Sequence, residues 1–206
     1  MIRVKICGIT SPEDALLTAV AGADAIGLVF YAKSPRNVDV EQAQAILAAL
    51  PPFVSTVGLF VNETPGRVRD IISRCPLDIL QFHGEETPDY CASFGRPYLK
   101  ALRMHSALDP MREMARHPQA RGFLLDAYSP LTAGGTGERF DWARMPRESS
   151  RPLILAGGLG PDNVADAVRM VQPYGVDVSS GVESRLGVKD ANLVRRFVDS
   201  ARQARV

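Results

Sequence analysis

Eight short apolar runs rich in β-branched residues recur along the chain, with helix-start signals in the stretches between them. This alternation is the pattern of parallel βα units, because neighbouring parallel strands must be joined by a long crossover, usually a helix. The runs are Val4–Ile9, Ala25–Phe30, Thr56–Val61, Ile79–His83, Pro97–Leu102, Gly122–Ala127, Leu153–Gly157 and Gly175–Ser180. Thr10-Ser11-Pro12-Glu13-Asp14 combines capping hydroxyls, a first-turn proline and acids at the positive end of a helix dipole. Comparable starts lie at Asp39, Thr64-Pro65, Thr87-Pro88, Gly160-Pro161-Asp162 and Lys189-Asp190. Residues 106–117 carry a weaker helix signal, and 129–150 reads mostly as loop.

Eight units in 206 residues leave about 26 residues each, near the minimum for a strand, a helix and two short loops. An open dinucleotide-binding sheet would carry GxGxxG after its first strand, where this chain has Cys7-Gly8-Ile9-Thr10. Its glycines cluster instead after the sixth, seventh and eighth runs. The expected fold is therefore α/β, a single (β/α)8 TIM barrel spanning residues 1–206, with the site at the C-terminal strand ends. A barrel of that size leaves no room for a fused partner.

Composition narrows the function. Lys+Arg 24 against Asp+Glu 23 offers no basic excess for nucleic acid. No run of about 18 uncharged apolar residues suggests a membrane span, and the first residues lack the order of a secretory signal. Three cysteines without paired spacing argue against a disulfide framework or a zinc site, so the cytoplasm is the expected compartment.

Strand alternation assigns side chains to faces. If Val4 and Ile6 pack under helices, Lys5 and Cys7 point into the barrel, with Cys7 at the catalytic end. A lone cysteine is also a common buried hydrophobe. Asp126 holds the equivalent place on the sixth run, although a carboxylate there could simply cap a loop. Together, a thiol and a carboxyl projecting inward would suffice to remove one proton and deliver another. Gly157-Gly158 and Ser180-Gly181 follow the last two runs, where barrels commonly bind phosphate through backbone N–H groups. One glycine pair is often only a turn; two such loops at these positions say more. Arg36 offers a planar fork suited to a carboxylate, or is a solvated loop arginine. Gln81 and His83 share a face and line the site, unless His83 is purely structural. Residues 132–137 could close over ligand or merely connect. Lys5 and Asp177 are expected to pair inside the barrel. Cys75, Cys91 and Trp142 read as structural.

The motifs Val4-Lys5-Ile6-Cys7-Gly8-Ile9-Thr10, Gly58–Asn62, Leu80-Gln81-Phe82-His83-Gly84, Leu124-Leu125-Asp126, Gly134–Gly137 with Phe140-Asp141-Trp142, Ala156-Gly157-Gly158-Leu159 and Asp177–Glu183 resemble, in order, the phosphoribosylanthranilate isomerases of tryptophan biosynthesis. The resemblance implies an Amadori rearrangement of an aminoaldose phosphate. It further implies Asp126 as general acid, Cys7 as general base, Arg36 facing the anthranilate carboxylate, and phosphate held at Gly157, Gly158, Ser180 and Gly181. No metal, nicotinamide or flavin is implied, and the protein would act as a monomer or homodimer on a small phosphorylated substrate. With ordinary pKa values of about 3.9 and 8.5, roughly 0.1% of the acid and 3% of the base would be correctly protonated at pH 7. Both must move toward neutrality: Asp126 upward by burial and an anionic substrate, Cys7 downward through Lys5. The competing expectations are a histidine-pathway or bifunctional isomerase, which resembles a chain with aspartate in place of Cys7, and a non-catalytic phosphate-binding barrel.

Overall fold

The computed structural model describes residues 1–126 and 141–204. Strands β1 (Arg3–Cys7), β2 (Ala25–Val29), β3 (Ser55–Phe60), β4 (Ile79–Phe82), β5 (Tyr98–Arg103), β6 (Gly122–Asp126), β7 (Leu153–Leu155) and β8 (Gly175–Val178) pair in sequence order. Pairing of β1 with β8 in parallel register closes the barrel.

The period-two alternation sorts each strand onto two faces. Val4, Ile6, Phe60, Phe82, Phe123 and Leu125 face outward into the main apolar core shared with the helices. Phe60, Phe82 and Phe123 are among its largest fully buried side chains, each worth about 1.5–3 kcal/mol of burial. The barrel interior holds only small apolar clusters, Cys7-Val29-Leu59-Val61 and Ala101-Leu124-Ala156. Buried polar side chains stand among the inward-facing apolar ones, including Lys5, Gln81, Asp126 and Asp177.

The helices begin where capping chemistry permits. Ser11 caps α1 (Pro12–Val20), Thr64 caps α3 (Pro65–Arg74) and Thr87 caps α4 (Pro88–Ala92). Asp39 opens α2 (Val40–Ala49) through a capping box with Gln42. The weak signal over residues 106–117 resolves into α5 (Pro110–Arg116), capped by Asp109. Helix α6 (Val164–Val171) starts later than Pro161 suggested. Its flanking Asn163 turns back instead, accepting from the Gly160 N–H and donating to the Gly158 carbonyl. Helix α7 (Ala191–Gln203) is capped by Asp190.

Strands β7 and β8 end two residues earlier than the apolar runs, because the chain turns into the glycine loops. Of the expected loop 129–150, residues 141–150 contain one short 3-10 turn, Trp142–Arg144. The glycine segment 132–137 lies outside the described residues. An unexpected antiparallel hairpin, β9 (Glu183–Arg185) with β10 (Val188–Lys189), follows β8. The cysteines Cys75 and Cys91 are buried in the outer core, and Trp142 packs against it.

Candidate active site

The C-terminal ends of the strands surround a cavity lined by Cys7, Arg36, Gln81, His83, Asp126, Gly157, Gly158, Ser180 and Gly181. All nine residues picked from the sequence thus meet in one place. Cys7 ends β1 and Asp126 ends β6, so they enter from strands separated by β7 and β8.

Asp177 also lines this cavity and pairs with Lys5, whose Nζ donates to Oδ1 at 2.8 Å, both side chains being nearly inaccessible. Lys5 and Asp177 are direct register partners on neighbouring strands, which places the two charges side by side. Burial by itself lowers the Lys5 pKa, but Asp177 and the Cys7 sulfur outweigh it and raise the value, so Lys5 stays charged. Burial raises Asp177, against the pull of Lys5.

Cys7 departs from expectation. Lys5 does favour its thiolate, but burial is the larger effect, and the thiol is pushed above its ordinary value rather than below it. The resting side chain is therefore the neutral thiol.

Asp126 Oδ2 lies 3.1 Å from His83 Nε2, and His83 Nδ1 lies 3.2 Å from Gln81 Nε2. A Gln81 amide donating to Nδ1 leaves Nε2 as the protonated nitrogen, which then donates to Asp126. The row Gln81–His83–Asp126 gives His83 a partner at each nitrogen and orients the carboxyl.

Gly157 and Gly158 both have positive φ, 82° and 64°, so the turn after β7 requires residues without a Cβ. A Cβ on Gly181 would come within 2.0 Å of the Leu159 carbonyl oxygen, so only glycine permits this approach of the two loops. Asn163 ties the first of these loops together from the start of α6.

Arg36 lines the cavity but is not a free guanidinium. Its Nε and Nη2 donate to Glu183 Oε1 and Oε2 at 2.7 and 2.8 Å. Glu183 Oε1 also accepts from Lys189 Nζ at 2.8 Å, and that ammonium donates to the Ser179 carbonyl. Reading the sequence missed Glu183, Lys189 and Asn163 as contributors to the site. The only available signal was that Glu183 closes the Asp177–Glu183 motif and Lys189 precedes a helix cap.

The family model for N-(5'phosphoribosyl)anthranilate (PRA) isomerase matches residues 4–200. The chain belongs to the phosphoribosylanthranilate isomerase family. It is 57% identical over 203 residues to the N-(5'-phosphoribosyl)anthranilate isomerase of Pseudomonas fluorescens, covering 98% of this chain and 97% of that one. The phosphoribosyl anthranilate isomerase of Thermotoga maritima has a similar crystal structure, with TM-score 0.87, 42% identity, and 98% and 99% of the two chains covered. Another solved isomerase, in complex with reduced 1-(o-carboxyphenylamino)-1-deoxyribulose 5-phosphate, matches with TM-score 0.83, 42% identity and coverage of 98% and 99%. The closed eight-stranded parallel barrel is thus the architecture this family shares.

Proposed function

We propose that the chain isomerises N-(5-phosphoribosyl)anthranilate to 1-(2-carboxyphenylamino)-1-deoxyribulose 5-phosphate in this cavity. The observation that carries the reading is the convergence of Cys7 and Asp126 on the cavity that the two glycine loops also line. Asp126 donates a proton to the furanose ring oxygen; the C1–O bond opens and the nitrogen lone pair forms a protonated Schiff base. Cys7 removes the C2 proton, the C2–H electrons form an enolamine, and tautomerisation yields the ketone. Electrons move from C2 to C1 within one molecule, so the proton transfers complete the redox change without a cofactor.

The raised thiol pKa has a consequence for this step. A thiolate that is scarce at neutral pH is also a stronger base, and the C2 proton beside a cationic Schiff base is acidified. Lys5 and Lys189 both favour the thiolate when it forms. His83 supports Asp126 through the hydrogen bond at its Nε2. Backbone groups at Gly157-Gly158 and Ser180-Gly181 receive the phosphate, and Arg36 receives the ring carboxylate.

All of these residues come from one chain, so either a monomer or a homodimer can hold a complete site; light scattering on the purified protein distinguishes them. The cytoplasm is the compartment we assign, because three free, buried cysteines suit a reducing environment. The whole of residues 1–206 acts as one barrel domain in this reading.

Loss of substrate fluorescence measures turnover. Cys7→Ser and Asp126→Asn should fold as the parent does and lose at least about two orders of magnitude in kcat. Near-parental rates in both variants would remove the acid and base assignments. Comparable turnover of the histidine-pathway aminoaldose phosphate would make the enzyme bifunctional.

A further inference from the structure

We propose that Glu183 is a positioning residue: it clamps Arg36 from the side and thereby sets the enzyme's preference for a substrate carrying a ring carboxylate. This rests on the isomerase reading above and adds the origin of specificity at one end of the substrate.

Arg36 and Glu183 are 147 positions apart and both nearly buried, with 8% and 5% side-chain exposure. The two bonds engage Nε and Nη2, which form the side edge of the guanidinium. They use two of its five N–H donors and hold its plane in one orientation. The end edge, made by Nη1 and the second N–H of Nη2, is the edge we assign to the substrate carboxylate, since Arg36 lines the cavity. A guanidinium held this way meets a planar anion with little further loss of conformational freedom.

The clamp is itself anchored. Lys189, whose ammonium is fully buried, donates to Glu183 Oε1 and to the Ser179 carbonyl, while its backbone N–H donates to Asp14. Glu183 directly follows the 3-10 turn Ser180–Val182, so the proposed phosphate loop and the clamp are consecutive in the chain. One short continuous segment therefore relates the two proposed anion-binding ends of the site. Gly8 makes room for this arrangement: a Cβ there would come within 2.4 Å of Arg36 Cδ, and its φ of +73° disfavours a side chain in any case. Burial alone would raise the Glu183 pKa, but its bonds to Arg36 and Lys189 prevail and lower it, so the clamp stays ionised at neutral pH.

The test compares kcat and KM for phosphoribosylanthranilate and for the corresponding phosphoribosylaniline, which lacks the carboxylate. Wild type should favour the carboxylate-bearing substrate by at least about tenfold in kcat/KM. Glu183→Gln should remove most of that preference, mainly through KM, while kcat/KM for the aniline compound stays within about threefold. In an Arg36→Met background the same change should have no further effect on the preference, because Glu183 acts through Arg36. Glu183→Asp keeps the charge and shortens the reach by one methylene. It should give an intermediate preference, and it serves in place of Glu183→Gln if the latter does not fold by circular dichroism. An unchanged preference in a folded variant, an equal loss on both substrates, or additivity with Arg36→Met would overturn the proposal. A wild type that leaves phosphoribosylanthranilate unconverted would instead overturn the isomerase reading, and the clamp with it.

Discussion

Two buried charge clusters border the cavity, and they are built in different ways. Lys5 and Asp177 sit on adjacent strands at the same register position, and their contact follows from the closure of β1 on β8. Arg36, Glu183 and Lys189 come from the loop after β2 and from the β9–β10 hairpin, and no strand register relates all three. The first cluster is a simple pair, in which each charge depends on the other. The second gives Glu183 two cationic partners, so one cation can be lost while the carboxylate remains paired. A pair and a branched cluster should therefore respond differently to losing a lysine.

The largest expected effect is on the pair. Lys5→Met leaves Asp177 buried without its cation, and we expect a loss of about 3–5 kcal/mol in urea denaturation. Replacing Asp177 by leucine in the same chain should restore much of that stability, since no unpaired charge then remains. Lys189→Met should cost less, about 1–2 kcal/mol, because Arg36 still holds Glu183 when the Lys189 bonds to Glu183 Oε1 and the Ser179 carbonyl are lost. Equal costs for Lys5→Met and Lys189→Met would break the distinction.

His117 sharpens the comparison as a buried ionisable group with no such partner. It lies at the end of α5, and its Nδ1 has no hydrogen-bond partner among the described residues. Burial foremost, then the nearby Lys100 and Arg116, push its pKa down from 6.5 to about 4. The neutral ring is the folded form, so its contribution is fully present above pH 6.5 and is lost as pH falls toward 4. After allowance for solvent screening this amounts to about 1–2 kcal/mol, and His117→Asn should flatten that part of the stability profile.

The smallest effect concerns Cys7. Its alkylation by iodoacetamide should titrate above 9.0, and Lys5→Met should move the midpoint higher still, because Lys5 opposes the effect of burial. A midpoint below 9.0 in the parent would show that Lys5 outweighs burial after all.

The contrast between the two clusters also shows what was legible in the sequence. Lys5 and Cys7 could be assigned to the barrel interior because a strand turns alternate side chains to opposite faces, and Asp126 followed by the same rule. The glycine loops were visible because tight turns demand glycine, as the positive φ values at Gly157 and Gly158 show. The fork of Arg36 was visible as a chemical type, but not the carboxylate that holds it, since that pairing spans most of the chain. The thiol of Cys7 went the other way from expectation, because its titration depends on how completely the barrel encloses it.

By itself the sequence determined the eight barrel strands, the helices that follow all of them but β6 among the described residues, and which side chains each strand turns inward, since these follow from local periodicity and capping. Tertiary structure alone decided the Arg36–Glu183–Lys189 clamp, the Gln81–His83–Asp126 row and the net shift of the Cys7 thiol. Each depends on distance and desolvation, which arise only when segments far apart in the chain are brought together and water is excluded.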